Sequence, residues 1–581
     1  MKYRIAENGK SKFFICAHRY EDETVRFAAS ELQKYLLRAT GAVVPYFSDR
    51  CREEEYEIRI GERVRGALVA PQNLGEEDYY IKADGAHHIY ITGGSSRGVL
   101  YGVYRFLEVF CGFRAYTKDV EVIDSFATLD IELDLLTGGP TFEFREAYYR
   151  FAFDGDFCAK NGLNANLGDI SVAHGGRMKW YNFHHSFRDL VPEEVYFESH
   201  PEYFAEVDGV RSRDAQICLA NPEVYEIARK KLREWIAENP ECRVFSVAQN
   251  DNPRRCTCPA CLAIEAEEES PAGPVIRFVN ALADDIREDY PRVLLHTFAY
   301  MYSVKAPRYA VARENVIVRL CTFGCRFDAP FRALAAADPK GQEAAFVRAM
   351  DEWRAHTSRL YIWDYSVNFR NYAQPFFHFH VLAENIRDFA RCGVRGVLEQ
   401  GNFAYGGGCA ADELKSYLIA RLLFDPDTDV DAEMRAFVDA VYGRAAGEVY
   451  LEYLNLMEGA CMSAPLTIYL YPDAPHITDD LVDKCEEIFT RALALAENAE
   501  YRRRLEREYL AVRFLRLART EVGAEGKDAA VEEYIRDVKS HGITELFERS
   551  SVDVAEKALK ESRYARTRVP YTEHWLYYIM Q

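Results

Sequence analysis

The sequence predicts an α/β protein organised as a (β/α)8 TIM barrel, with a small α/β domain before the barrel and a helical domain after it. Three observations carry this expectation. From about residue 140, apolar strand-like runs alternate with amphipathic helical patterns, the rhythm of βα units. Eight such runs fall within about 260 residues, the usual size of a barrel. One of them, Val244-Phe245-Ser246-Val247-Ala248, breaks off into Gln249-Asn250-Asp251-Asn252 and Pro253. A strand buried on both faces reads as a continuous apolar run, and barrels present catalytic groups where such strands end. Asn and Asp are also ordinary turn formers, so Asn250 and Asp251 alone leave both readings open.

Composition narrows the function classes. A chain of 581 residues exceeds a single core and divides into domains. Hydrophobic residues make up 49% and aromatics 13%, with 38 Tyr and 35 Phe, enough to build large cores and still line a site for flat ligands such as sugars. A net charge of −20 argues against nucleic acid or an anionic membrane surface as partner. No apolar run approaches the roughly 20 residues of a membrane span. The start, MKYRIAENGKSKFFICAHRYEDE, has no signal-peptide pattern, and fifteen scattered cysteines do not suggest a disulfide framework. The expectation is a reduced, cytoplasmic protein without a cofactor.

Residues 1–135 read as the small α/β domain. Val25, Phe27, Ala28, Leu32, Tyr35 and Leu36 recur at helical spacing, and Gly41 follows as a stop signal. Tyr56–Ile60 and His88–Thr92 alternate as strands, and a second helix, Val99–Phe110, ends before Gly112. The Gly93-Gly94-Ser95-Ser96-Arg97-Gly98 turn has neither a P-loop lysine nor a dinucleotide fingerprint, so a tight strand-to-helix turn accounts for it better than a phosphate site.

The barrel is expected over 136–425, with candidate strands Phe142–Phe151, Lys179–Phe183, Gln216–Leu219, Val244–Ala248, Leu294–Ala299, Val316–Cys321, Leu360–Trp363 and Gly396–Leu398. Helical stripes lie between them, such as Val224, Ile227, Ala228, Leu232 and Trp235, and Val275, Phe278, Val279, Leu282 and Ile286. Five of the strand ends carry polar or aromatic groups: Asn182, His184 and His185; Asn250 and Asp251; Tyr300 and Tyr302; Asp364 and Tyr365 beside Trp363; Glu399 and Gln400. Carboxylates and amides accept from hydroxyls, and aromatic faces cover the apolar side of a pyranose. The set therefore fits a neutral oligosaccharide or glycan, although any one of these residues could equally make a structural hydrogen bond. His184, His185, Tyr300, Trp363, Asp364, Tyr365 and Glu399 are the candidate substrate contacts.

Cys256-Thr257-Cys258-Pro259-Ala260-Cys261 crowds three thiols into six residues. A structural zinc needs four ligands, and no fourth is apparent nearby, so a loop-shaping thiol cluster without metal is the expectation. Glu265–Glu269 reads as a solvated helix start. Residues 426–581 read as helical, with stripes such as Leu481, Cys485, Ile488, Phe489, Ala492 and Leu495, and are expected either to close one side of the active site or to mediate homo-oligomer formation. Pro465–His476 reads as a crossover loop, and the aromatic tail Pro570–Gln581 as a segment that docks on the body.

Two resemblances follow from longer stretches. LQKYLLRATG, IRIGE and ITGGSSRGVLYGVYRFLEVFCGFRAY resemble the accessory N-terminal domain of α-glucuronidases and family 20 hexosaminidases, which buttresses a barrel. FHHSFRDLVP, HPEYFAEVDGVR, CLANPEV, FSVAQNDN with CTCPAC, FVNALADDI, HTFAYMY, NVIVRLC, YIWDYSVNF and GVLEQG resemble domain-of-unknown-function family 4838. Part of that family is classed as glycoside hydrolase family 163, endo-β-N-acetylglucosaminidases that cut the chitobiose core of N-glycans. The resemblance implies a glycoside hydrolase using substrate-assisted retaining catalysis, with Asp251 as general acid/base and Asn250 orienting the acetamide. A carboxylate pair drawn from Asp364, Glu399 and Asp251 is the conventional alternative. An α-glucuronidase-like enzyme, disfavoured by a rim poor in cations, and a non-catalytic glycan-binding protein are the competing functions.

Overall fold

A computed structural model describes residues 2–68, 70–408 and 410–566; the aromatic tail lies outside them. The chain divides into two compact units, one of Met1–Arg177, Ala411–Leu451 and Thr490–Glu506, the other of Met178–Ala410, Glu452–Phe489 and Arg507–Gln581. Among the described residues, no helix is long and apolar enough to cross a membrane.

In the first unit, six strands form one sheet in the order Leu135–Gly138, Tyr79–Ala83, His88–Gly93, Glu57–Ile60, Phe14–Ala17, Tyr46–Ser48. The helix Glu23–Thr40 starts where Asp22 accepts the Val25 amide and stops at Gly41, whose φ of 68° puts it in the left-handed region. The second helix, Ser96–Cys111, ends the same way at Gly112, φ 64°. Their apolar stripes cover the sheet, burying Leu32, Tyr35, Leu36, Val103, Phe106 and Leu107. The glycine-rich turn is explained by crowding. A Cβ at Gly94 would stand 2.0 Å from the Gly75 carbonyl oxygen, and one at Gly98 2.2 Å from that of Asp78. Phe144–Tyr148, shorter than the expected Phe142–Phe151, and the helix Asp412–Phe424 also belong to this unit.

The second unit contributes six parallel strands in chain order: Trp180–Tyr181, Val244–Ser246, Leu294–Ala299, Val316–Cys321, Leu360–Tyr365 and Gly396–Gln400. Helices Ala272–Ile286, Gln342–His356 and Phe379–Arg391 return the chain between successive strands. The four longest strands are buried almost throughout, as the continuous apolar runs require. The protein is thus mixed α/β, and the parallel strands make a half-barrel of the TIM kind.

One candidate strand is corrected. Gln216–Leu219 joins no strand, and Ile217 makes only an isolated antiparallel bridge with Phe204. Its apolar look has another cause: Cys218 is buried in a separate small cluster with Ala205, Ala215, Cys256, Cys258 and Cys261. Pro465–His476 is an irregular loop as expected. It lies on the segment after Leu360–Tyr365, with Phe369 N–H donating to Ile468 O and Asn368 Nδ2 to Leu470 O.

Candidate active site

The chain leaving Val244–Ser246 is fixed from both sides. Ser186 and Phe187 amides both donate to Ala248 O at 3.0 Å, Val247 N–H donates to His296 O, and Ser186 Oγ donates to Ser246 O. Gln249 Nε2 donates to Tyr300 O at 2.7 Å. Asn250 is engaged at every polar atom. Its Oδ1 accepts from the Arg188 amide and its Nδ2 donates to Ala215 O, each at 3.0 Å. Its backbone exchanges two bonds with the Gln216 carboxamide, which reaches on to Asn252. This geometry makes Asn250 a brace for the strand end and leaves its carboxamide committed to backbone, instead of turned towards an acetamide as expected.

Asp251 stands at the open end of this brace with 52% of its side chain exposed. Its Oδ1 accepts from the buried Tyr300 hydroxyl at 3.2 Å and lies 3.6 Å from His185 Nε2. The other ring nitrogen of His185 bonds the Gln249 carbonyl at 2.5 Å, which assigns it the proton as Nδ1–H and aims Nε2 at Asp251. Burial pushes the Tyr300 hydroxyl well above its usual range, the nearby Asp251 adding to the effect, so it remains a donor. His184 is exposed at its outer edge, yet protein walls crowd it. Desolvation, then His185 and Arg319, lowers its imidazole to about 4.

Aromatic rings line the same side of the sheet. Phe183 and Phe298 each have their ring centroid 5.8 Å from that of Trp363, Phe323 packs on Tyr300 and Tyr365, and Phe369 and Tyr469 close the outer edge. Beneath them the fully buried Arg319 guanidinium sits 4.2 Å from the Trp180 ring centroid and 5.3 Å from that of Trp363. The indole N–H of Trp363 donates to Gln400 Oε1 at 2.7 Å, which fixes the ring as part of a wall.

Three residues of this site were not found by sequence reasoning. The C-terminal hairpin Glu545–Phe547 and Ser550–Ser551 is held to the segment after Leu360–Tyr365 by Tyr372 N–H on Leu546 O and Glu548 N–H on Phe369 O. It carries Glu548 within electrostatic reach of Asp251, and Arg549 within that of His184. Desolvation pushes the Glu548 carboxyl up to about 6; Arg549 opposes this, while Asp251 and Glu545 reinforce it. Tyr469, raised by burial, feels both Glu548 and Asp251. Glu548 lies some 300 positions from Asp251 in a segment, ELFERS, without a local motif. Cations are also present, Arg319 buried beneath the aromatic rings and Arg549 within electrostatic reach of His184 and Glu548, where the sequence reading expected few.

Asp364 and Glu399 occupy the opposite face. Successive residues of a strand point to opposite sides. Trp363 and Tyr365 face the aromatic side, so Asp364 between them points towards the helices, together with its register partner Glu399. Both are fully buried. Asp364 Oδ1 accepts from Thr322 Oγ1 at 2.6 Å, whereas among the described residues Asp364 Oδ2 and both Glu399 oxygens find no hydrogen-bond partner. Burial raises Asp364 to about 7, and burial followed by Asp364 raises Glu399 well above the carboxylate range. Of the expected contacts, His184, His185, Tyr300, Trp363 and Tyr365 therefore share the face of Asp251, and Asp364 and Glu399 do not.

Residues 115–455 match the family described as Domain of unknown function (DUF4838), which spans more than half of the chain. This chain belongs to the DUF4838 family. Its residues 8–106 match the Glycosyl hydrolase family 67 N-terminus, which agrees with the α-glucuronidase side of the resemblance read from both helices and the strands between them. No curated protein matches this DUF4838 member in sequence. Among solved structures, it is similar in fold to a family GH115 4-O-methyl-α-glucuronidase with specificity for decorated arabinogalactans, at 11% identity and a TM-score of 0.59, covering 97% of this chain and 80% of the other. It also matches a family 89 glycoside hydrolase from Clostridium perfringens, at 10% identity and a TM-score of 0.48 over 88% of this chain and 65% of the other. A β-N-acetylhexosaminidase from Bacteroides fragilis gives 10% identity and a TM-score of 0.39 over 78% and 93%. Of these three, the first speaks for a shared fold.

Proposed function

We propose that this chain is a glycoside hydrolase acting on β-linked N-acetylglucosaminides, with Asp251 and Glu548 as its working carboxyl groups. The observation that carries the reading is the docking of the C-terminal hairpin on Phe369 and Tyr372, which brings Glu548 to the aromatic wall within electrostatic reach of Asp251. Two carboxyl groups flanking a glycosidic bond are what most glycosidases need. Glu548, pushed up to about 6, holds a proton near neutral pH and suits protonation of the leaving oxygen. That moves the acid role expected for Asp251 to Glu548. Asp251, fixed by Tyr300 and the Asn250 brace, suits the other task of accepting the acetamide N–H, so that the substrate's own carbonyl oxygen attacks the anomeric carbon. The chitobiose core of N-glycans is the substrate the family resemblance favours.

The test is a screen of aryl β-N-acetylglucosaminides and N-glycans with the purified protein. Release of a product with N-acetylglucosamine at its reducing end, and inhibition by a thiazoline mimic of the cyclised intermediate, support the proposal. A second reading has its own observation. Arg549 brings to this side of the unit a cation that a substrate carboxylate would need, and the chain shares its fold with an α-glucuronidase. Turnover of glucuronides without turnover of N-acetylglucosaminides would select that reading.

A further inference from the structure

We infer that Cys218, Cys256, Cys258 and Cys261 form a structural zinc site that fixes the loop carrying Asp251. The four thiols are buried, and their sulfurs lie within 4.8 Å of one another. The sequence reading lacked a fourth ligand; the structure supplies it as Cys218, 38 residues before Cys256 in the chain. Its Sγ lies 3.7 Å from that of Cys258 and 3.8 Å from that of Cys261. A disulfide would need about 2.05 Å. Four sulfurs at about 2.3 Å from a zinc ion, at tetrahedral angles, lie about 3.8 Å apart. The two Cys218 distances match that tetrahedral edge, and the remaining sulfurs lie within 4.8 Å of one another.

The surroundings fit a thiolate cluster. The Glu206 amide donates to Cys256 Sγ at 3.3 Å, and Arg211 Nη1 lies 3.8 Å from the same sulfur. Binding one Zn²⁺ by four thiols releases four protons and leaves a net charge of −2 on the cluster, which the Arg211 guanidinium partly offsets. The apolar alternative is thin. Apart from the four cysteines, this satellite core holds Ala205 and Ala215, with Val207 and Ala220 at its edge. It has too little surface to fix the loops by burial alone.

The position explains the use. Gln216, two residues before Cys218, bonds the backbone of Asn250 and Asn252. Ala215 O accepts from the Asn250 side chain, and Asp214 O from that of Asn252. The cluster therefore ties the two segments that hold Asp251, one on each side. This inference stands whether or not the proposed activity is right, because its readouts are metal content and thermal stability.

The full chain, produced in zinc-supplemented medium and freed of loose metal, should carry one zinc per chain by elemental analysis. Replacement of that zinc with cobalt should give the absorption of a tetrahedral cobalt thiolate. Cys258→Ser and Cys261→Ser should lose the metal and melt at lower temperature, whereas Cys51→Ser, at an exposed cysteine far along the chain, should keep both. If the cluster variants fail to fold, the wild-type metal analysis still decides. Iron in place of zinc would overturn the assignment. So would a chain that holds no metal, takes up no added zinc, and keeps its melting temperature in a strong chelator.

Discussion

Asp364 and Glu399 are direct partners on neighbouring parallel strands, and both carboxyl groups are buried on the helix side of the sheet, away from Asp251. Burial favours the neutral form of both acids, raising Asp364 to about 7 and, with Asp364 adding to it, Glu399 well above the carboxylate range. A role in stability, and none in the chemistry, is the expected outcome for such a pair. Asp364→Asn keeps an acceptor for Thr322 Oγ1, and Glu399→Gln keeps the shape. Both variants should retain activity within a few-fold of wild type. Loss of activity by orders of magnitude in a well-folded Asp364→Asn or Glu399→Gln would return them to the active site.

The same pair gives a pH effect on stability. Asp364 titrates near 4 when unfolded and at about 7 when folded. Its neutral form therefore favours the fold, and stability is lost as pH rises through that window, by at most about 1.4 kcal/mol per pH unit. Above about 7 the contribution of Asp364 is constant. Asp364→Asn should flatten the fall in melting temperature between pH 5 and pH 7. Parallel curves for the variant and wild type would refute this.

Asn250→Ala should remove an acceptor from the Arg188 amide and a donor from Ala215 O. Orphaned buried partners cost about 1–3 kcal/mol. The melting temperature should fall, and activity should fall through a displaced Asp251 on every substrate tested. An unchanged melting temperature with activity lost only on N-acetyl substrates would restore the expected acetamide role.

How much of this was legible beforehand can be seen residue by residue. Leu294–Ala299 and Val316–Cys321 were read at their observed ends, because strands buried on both faces announce themselves as unbroken apolar runs. Gln216–Leu219 has the same look for a different reason, since its cysteine packs in a thiol cluster that only the fold assembles. Asp251, Tyr300 and His185 were legible as polar groups ending apolar runs. Asp364 and Glu399 fit that rule equally well, but alternation along the strand turned them to the other face. That parity needs a neighbour of known direction, here Trp363 stacked near Arg319. Glu548 was out of reach because long-range packing of a hairpin, with no local pattern, brings it to the rim.

Glu548 carries the most exposed prediction. Desolvation lifts its carboxyl to about 6, against a guanidinium neighbour that lowers it and Asp251 that raises it further. The protonated form is the one that can donate to a leaving oxygen. Activity should therefore hold below about pH 6 and fall as pH rises through that value, towards tenfold per unit. The fall should appear in kcat/KM, which reports the free enzyme. Glu548→Gln removes the titrating group, so the alkaline limb should vanish along with about 10²–10⁴-fold of the rate on natural glycans. Substrates with an activated aryl leaving group need little protonation and should lose far less. Asp251→Asn should act differently, lowering the rate on both kinds of substrate alike while leaving the limb in place and moving it towards lower pH, since one charge that raises Glu548 is gone. An alkaline limb that persists unchanged in Glu548→Gln would place the acid elsewhere and return Asp251 to that role.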